Sequence, residues 1–118
     1  MQYTLLIYLE EGKLSEADYA QCYQESTAFV RQLHASGEFV STAPLHPTTT
    51  ATSVRVRDGK RLVTDGPFAE TREQLGGFLM IDVADLDRAI EIAGQFPAGR
   101  WGTVEIRPVV KISGLPNE

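Results

Sequence analysis

A chain of 118 residues with 42% apolar side chains holds material for one modest core and not for two. No apolar run approaches the roughly 20 residues that cross a bilayer, and a net charge of -5 opposes direct binding to nucleic acid or to an anionic membrane. The single cysteine, Cys22, excludes an intramolecular disulfide. Met1 runs straight into strand-like residues, without the charged, apolar and small-residue succession of a signal peptide. A cytoplasmic location is the expectation.

In chain order, Tyr3 to Glu10 reads as a first strand, rich in aromatic and aliphatic residues. Ser15 with Asp18 three positions on forms a capping box that starts a helix. Tyr19, Cys22, Tyr23, Ser26, Phe29, Val30 and Leu33 then recur at helical spacing, and Gly37 stops it. Phe39 to Leu45 is a second strand, followed by a Pro/Thr-rich connection through Thr52. Ser53 to Arg57 and Arg61 to Thr64 flank Asp58-Gly59, a two-residue hairpin signal. Gly77 to Val83 is another strand. Asp85 caps a second helix with Leu86, Ala89, Ile90 and Ala93 as its apolar face, and Pro97 ends it. Thr103 to Ile112 is the last strand. Residues 1–112 thus form one domain, and Ser113 to Glu118 a loose tail.

This order describes an α+β sheet with two helices on one face. In the first strand Tyr3, Leu5, Ile7 and Leu9 point one way, and Thr4, Leu6 and Tyr8 the other. Phe78 and Met80 oppose Leu79, Ile81 and Val83 in the same manner. Both faces are apolar, so both need cover. Two helices cover one face, and no strands remain for a second sheet. A homodimer with its sheets packed face to face resolves this.

The densest chemistry lies in Asp65-Gly66-Pro67-Phe68-Ala69-Glu70-Thr71-Arg72-Glu73-Gln74-Leu75-Gly76-Gly77-Phe78. Pro67 fixes its own backbone and restricts Gly66, holding the Asp65 carboxylate at a turn. One helical turn would set Glu70 and Glu73 on the same side, and with Asp65 they suit general acid/base work. The same residues also fit a turn in which Asp65 accepts backbone N–H groups and the glutamates face water. No His-x-His, Cys-x-x-Cys or EF-hand spacing accompanies them, so neither a metal nor another cofactor is expected.

His46 stands alone in a loop, and imidazole is the side-chain type suited to proton transfer near neutral pH. Asp65 and His46 are therefore the candidate catalytic residues. Arg107 suits a substrate carboxylate, or an ion pair with Asp65 or Glu70. Glu70, Arg107 and Tyr8, a polar-tipped aromatic in an apolar strand, are the candidate substrate-binding residues. Arg55, Arg57, Lys60 and Arg61 form a basic cluster without interleaved aromatics, weak grounds for nucleic acid.

Tyr3-Thr4-Leu5-Leu6-Ile7-Tyr8, Thr52 to Gly59, Thr64 to Thr71 and Val104-Glu105-Ile106-Arg107-Pro108, in this order and spacing, resemble the YCII-related proteins of the DGPF type. The resemblance covers residues 1 to 110 and implies a ferredoxin-like unit that pairs into a dimeric α/β barrel. It also implies a His early in the first helix and an Asp-Pro step after the second, as a catalytic dyad. This chain has Ala17, Asp18, Tyr19 and Ala20 at the first place and Phe96-Pro97 at the second, so the dyad does not carry over. Some related proteins are associated with transcription.

Two functions follow. One is a homodimeric small-molecule enzyme using cofactor-independent acid/base chemistry. The other is a non-catalytic binding or regulatory dimer that reaches transcription through a protein partner. A third role for the Asp65 loop is architectural, locking the dimer.

Overall fold

The computed structural model describes residues 1–116 of the chain. Its strands are β1 (Gln2–Leu9), β2 (Phe39–Pro44), β3 (Thr52–Arg57), β4 (Lys60–Asp65), β5 (Gln74–Asp82) and β6 (Gly102–Pro108). Its helices are α1 (Glu16–Ser36) and α2 (Leu86–Gln95), with short 3-10 turns at Glu11–Lys13, Thr48–Thr50 and Pro97–Arg100. Four strands make one antiparallel sheet in the order β2-β5-β1-β6, while β3 and β4 form a two-stranded sheet of their own.

The local chemistry explains the boundaries. Ser15 Oγ accepts from the Asp18 N–H at 3.1 Å and the Asp18 carboxylate accepts from the Ser15 N–H at 2.9 Å, satisfying two donors that a helix start leaves open. At the other end Gly37 donates to His34 and Leu33 carbonyls from a left-handed backbone. Asp85 caps α2 by accepting the Arg88 N–H at 3.0 Å. Asp58 and Gly59 both adopt the left-handed backbone that a two-residue hairpin turn demands.

The core sits on one face of the larger sheet. Tyr3, Leu5, Ile7 and Leu9 of β1 and Leu79 and Ile81 of β5 are buried there beneath Cys22 and Leu33 of α1 and Ala89 and Ile92 of α2. Thr4, Leu6, Tyr8, Phe78 and Met80 lie half-buried on the opposite face. None of the described helices or strands is laid across that face, and the molecule is only 20 Å thick in its shortest dimension.

Three expectations need correction. Strands are left over: β3 and β4 do not join the larger sheet but project as an arm, every residue exposed except Ser53. The α2 stripe is rotated, with Ile92 buried while Leu86 and Ile90 are about half exposed. The last strand ends at Pro108, which has no N–H to continue the ladder, and Val109 makes one further bond to the Gln2 carbonyl at 3.0 Å. Of the expected tail, residues 117 and 118 lie outside the described residues.

Candidate functional site

The helical spacing that places Cys22, Ser26 and Val30 on one stripe turns them toward the sheet. Between that stripe and β1, β2 and β5 lies a cleft of about 280 Å³. Ile7, Leu9, Val30 and Phe96 give it an apolar floor and walls, while Phe78, its ring on the open face, borders it through its backbone. The Gly76-Gly77 step keeps the floor bare where β1 and β5 slip register at Ile7 and Tyr8. A Cβ on Gly77 would stand 2.9 Å from the Ala43 carbonyl oxygen, so only glycine lets β2 approach so closely.

The polar groups of this cleft divide into spent and free. Thr42 Oγ1 donates to the Phe78 carbonyl and Thr27 Oγ1 to the Tyr23 carbonyl, both at 2.7 Å. Cys22 Sγ and Ser26 Oγ meet at 3.9 Å, and burial pushes the Cys22 thiol up against a smaller downward pull from Ser26. A thiol so placed is a poor nucleophile. The Tyr23 phenol and the Arg31 guanidinium remain for a ligand, and the Ser26 hydroxyl, held only by the long contact to Cys22, can still share a bond with one.

A smaller annex of about 100 Å³ adjoins the cleft, sharing Leu9, Tyr23 and Gly76 with it and adding Glu11, Tyr19, Leu45 and Pro47. Glu11 fixes this mouth. Its carboxylate accepts the Thr48 N–H at 2.9 Å and the Thr48 hydroxyl at 2.8 Å, so the 46–51 connection is strapped beside α1. Burial, then the nearby Glu11 charge, raises the Tyr19 phenol above its ordinary range. Tyr19 and Tyr23 stack at a tilt, their ring centres 6.1 Å apart.

A wider groove of about 720 Å³ runs between the end of α2, the Pro97–Arg100 turn and β6. Its charged groups satisfy each other, because Arg100 pairs with Glu25 and lies over the Trp101 ring at 4.8 Å. It offers a ligand much less unspent chemistry.

The sequence candidates are scattered around this geometry. His46 is exposed between Leu45 and Pro47, which line the annex, but His46 itself lines neither the annex nor the cleft. Tyr8 and Arg107 belong to the open face of the sheet, Arg107 opposite Thr4 and 3.8 Å from Glu105 rather than reaching Asp65 or Glu70. Asp65 closes the base of the arm, opposite Thr52, and Glu70 follows in the exposed loop. That loop is not helical: Glu73 accepts from the Thr103 hydroxyl at 2.7 Å and Arg72 pairs with Glu10. Gly66 shapes the arm's base, donating to the Ala51 carbonyl at 2.7 Å and accepting from Ser53 Oγ at 2.8 Å. None of Tyr8, Asp65, Glu70 and Arg107 lines the cleft.

The YCII-related domain profile matches residues 1–113, nearly the whole chain. The chain belongs to the YCII-related domain family. An uncharacterized protein of Rhizobium meliloti (strain 1021) is 36% identical over 114 residues, spanning 92% of each chain. Among solved structures, 5-chloro-2-hydroxyhydroquinone dehydrochlorinase (TftG) from Burkholderia phenoliruptrix AC1100, in complex with 2,5-dihydroxybenzoquinone, is similar with a TM-score of 0.56 at 14% identity, over 93% of this chain and 94% of its own. That likeness is one of fold.

Within this YCII-related domain, Phe96 occupies the place where the resemblance implies an aspartate, and its buried ring closes one end of the cleft. Sequence reasoning missed Glu11, Thr48, Ser26 and Arg31. The signal available was Tyr19, Tyr23 and Ser26 on an otherwise apolar helical stripe, three polar tips where a sealed core would hold none.

Proposed function

We propose that this YCII-related domain is a homodimeric, cofactor-independent enzyme that binds a small ring-bearing organic molecule in the cleft under α1 and moves a proton on it at the mouth. The cleft itself carries the reading. Its apolar walls and about 280 Å³ suit a single substituted ring, smaller than the ligands of most drug-sized pockets. Tyr23, Ser26 and Arg31 supply hydrogen bonds for hydroxyl, carbonyl or carboxylate substituents. A fold similar to this one is found with 2,5-dihydroxybenzoquinone in the dehydrochlorinase, which supports a ligand of that size and class.

In this reading His46 carries the proton, standing beside the Tyr19–Tyr23 annex. Asp65, Glu70, Arg107 and Tyr8 lie off the cleft and contribute only at the seam with a second copy seated on the open sheet face. The test is a panel of phenols, hydroquinones and small aromatic acids, read by melting temperature and by turnover. A panel member should raise the melting point of the protein but not of Val30→Trp, whose ring fills the cleft. His46→Ala should keep the melting shift and lose turnover. No shift with any member would exclude the reading.

A non-catalytic binding dimer is the second reading, and one observation favours it. The lining of the cleft contains no carboxylate and no histidine, and its one charged group is Arg31. Ligand binding without turnover across the panel would decide for it.

A further inference from the structure

The arm formed by β3 and β4 is the least explained part of the molecule. Residues 52–65 pair only with each other, and a two-stranded hairpin alone is marginal in water. Strand alternation and the register Val54↔Val63, Val56↔Arg61 put Val54, Val56 and Val63 on one surface of the arm. They are 58%, 62% and 58% exposed, a side-by-side apolar set that shares its surface with Arg61, the partner of Val56. Arg55, Arg57, Lys60 and Leu62 lie on the other surface. The arm also swells the molecule: its radius of gyration is 16.0 Å, where a compact domain of this length has about 13.5 Å.

Resting on the two-copy reading above, we propose that the arm is a reciprocal clasp, the Val54/Val56/Val63 surface of each copy lying on the body of a second copy of this chain. Two observations select that occupant. The first is charge. Residues 52–65 carry four basic and two acidic side chains, net +2, against -5 for the whole chain, which leaves -7 on the body. Arg61 shares the valine surface while Arg55, Arg57 and Lys60 lie on the other, so the arm's net charge, rather than ion pairs at the contact, attracts it to another copy's acidic body.

The second is area. Four strands about 4.8 Å apart, with about seven residues each at about 3.3 Å, offer a face of about 450 Å² per copy, so pairing the open faces buries about 900 Å². Specific dimers bury about 1,200–2,000 Å². Each arm adds a surface of about 20 by 10 Å, and two arms against two bodies contribute about 800 Å² more. The open sheet face alone falls short of a stable dimer, and with the arms it reaches that range.

The arm's accessibility is the readout. Sedimentation of the full chain, paired with hydrogen exchange, should show a dimer in which amides of Val54, Val56 and Val63 exchange at least tenfold more slowly than after dilution to monomer. Trypsin cleavage at Arg57, Lys60 and Arg61 should slow in parallel. V54D/V63D should weaken dimerisation at least tenfold while keeping the far-ultraviolet circular dichroism of the body, since the arm packs on none of its own core. If that variant misfolds, the exchange and trypsin series on the unaltered chain still decide. A dimer whose arm exchanges and is cut as fast as in the monomer overturns the clasp and leaves the two-copy reading standing. A monomer at all concentrations overturns both.

Discussion

The Glu11 carboxylate holds both the N–H and the hydroxyl of Thr48, 37 residues away, at 2.9 and 2.8 Å. That pair joins the Glu11–Lys13 turn ahead of α1 to the connection carrying His46, at the edge of the annex that Glu11 lines. Charge-assisted bonds of this kind are worth more than neutral ones. Glu11→Ala should therefore loosen the mouth while leaving the body folded. The expected result is ligand affinity reduced about tenfold, roughly 1.4 kcal/mol, with little change in melting temperature. Titration calorimetry with the best panel ligand measures it.

Proton transfer at the mouth makes a kinetic prediction. A positioned general acid or base is commonly worth about 10²–10⁴ in rate. His46→Ala should lower kcat by an amount in that range and leave KM within a few fold, because His46 does not line the cleft. Steady-state kinetics on the turned-over panel member separates the two parameters.

Glu38 and Arg88 tie the end of α1 to α2 by two parallel bonds of 2.7 and 2.8 Å. The Arg88 hydrogen bonds, working against partial burial, hold the Glu38 carboxyl down at about 2, from an ordinary 4.5. Its folded-state affinity for protons is lowered, so the stabilisation is full above 4.5 and fades as pH falls toward 2. Glu38→Gln should melt below the unaltered protein at neutral pH, and the gap should close across that acid window. Thermal melts at a series of pH values follow it.

Gly102 begins β6 against the backbone of Tyr8, where an added Cβ would collide with the Tyr8 carbonyl oxygen. The obstacle is main chain and cannot swing away. Gly102→Ala should cost about 1–3 kcal/mol through forced displacement of β6. Urea unfolding should show a lower midpoint with an unchanged slope.

Much of this architecture is written in short-range signals. Ser15 with Asp18, Asp58-Gly59 and Asp85 each act within a few residues, so their elements stand close to where the sequence puts them. The two-faced apolar pattern of β1 and β5 was equally legible, because strand alternation is local. The fate of the hairpin was not. Val54-Arg55-Val56-Arg57 alternates identically whether the strand edges a sheet or stands free, and only the absence of a neighbour tells them apart.

The same limit hid Ile92, whose burial depends on how α2 crosses the sheet and not on its own periodicity. It hid the cleft as well. Ser26, Arg31, Thr42 and Gly77 come from three elements, and no spacing along the chain announces that they meet. The Asp65 segment drew attention through its density of charge. Its clearest structural role is at Gly66, whose two hydrogen bonds close the base of the arm.

The central claim is that the α1 cleft receives a small hydroxylated ring. Methyl-resolved nuclear magnetic resonance tests it directly, with 2,5-dihydroxybenzoquinone and hydroquinone titrated into the protein. Saturating shifts at Ile7, Leu9 and Val30, with Ile90 and Ile106 of the wider groove unmoved, are the predicted result. Shifts confined to Ile90 and Ile106, or no saturable shift up to the solubility limit of either ring, would contradict it.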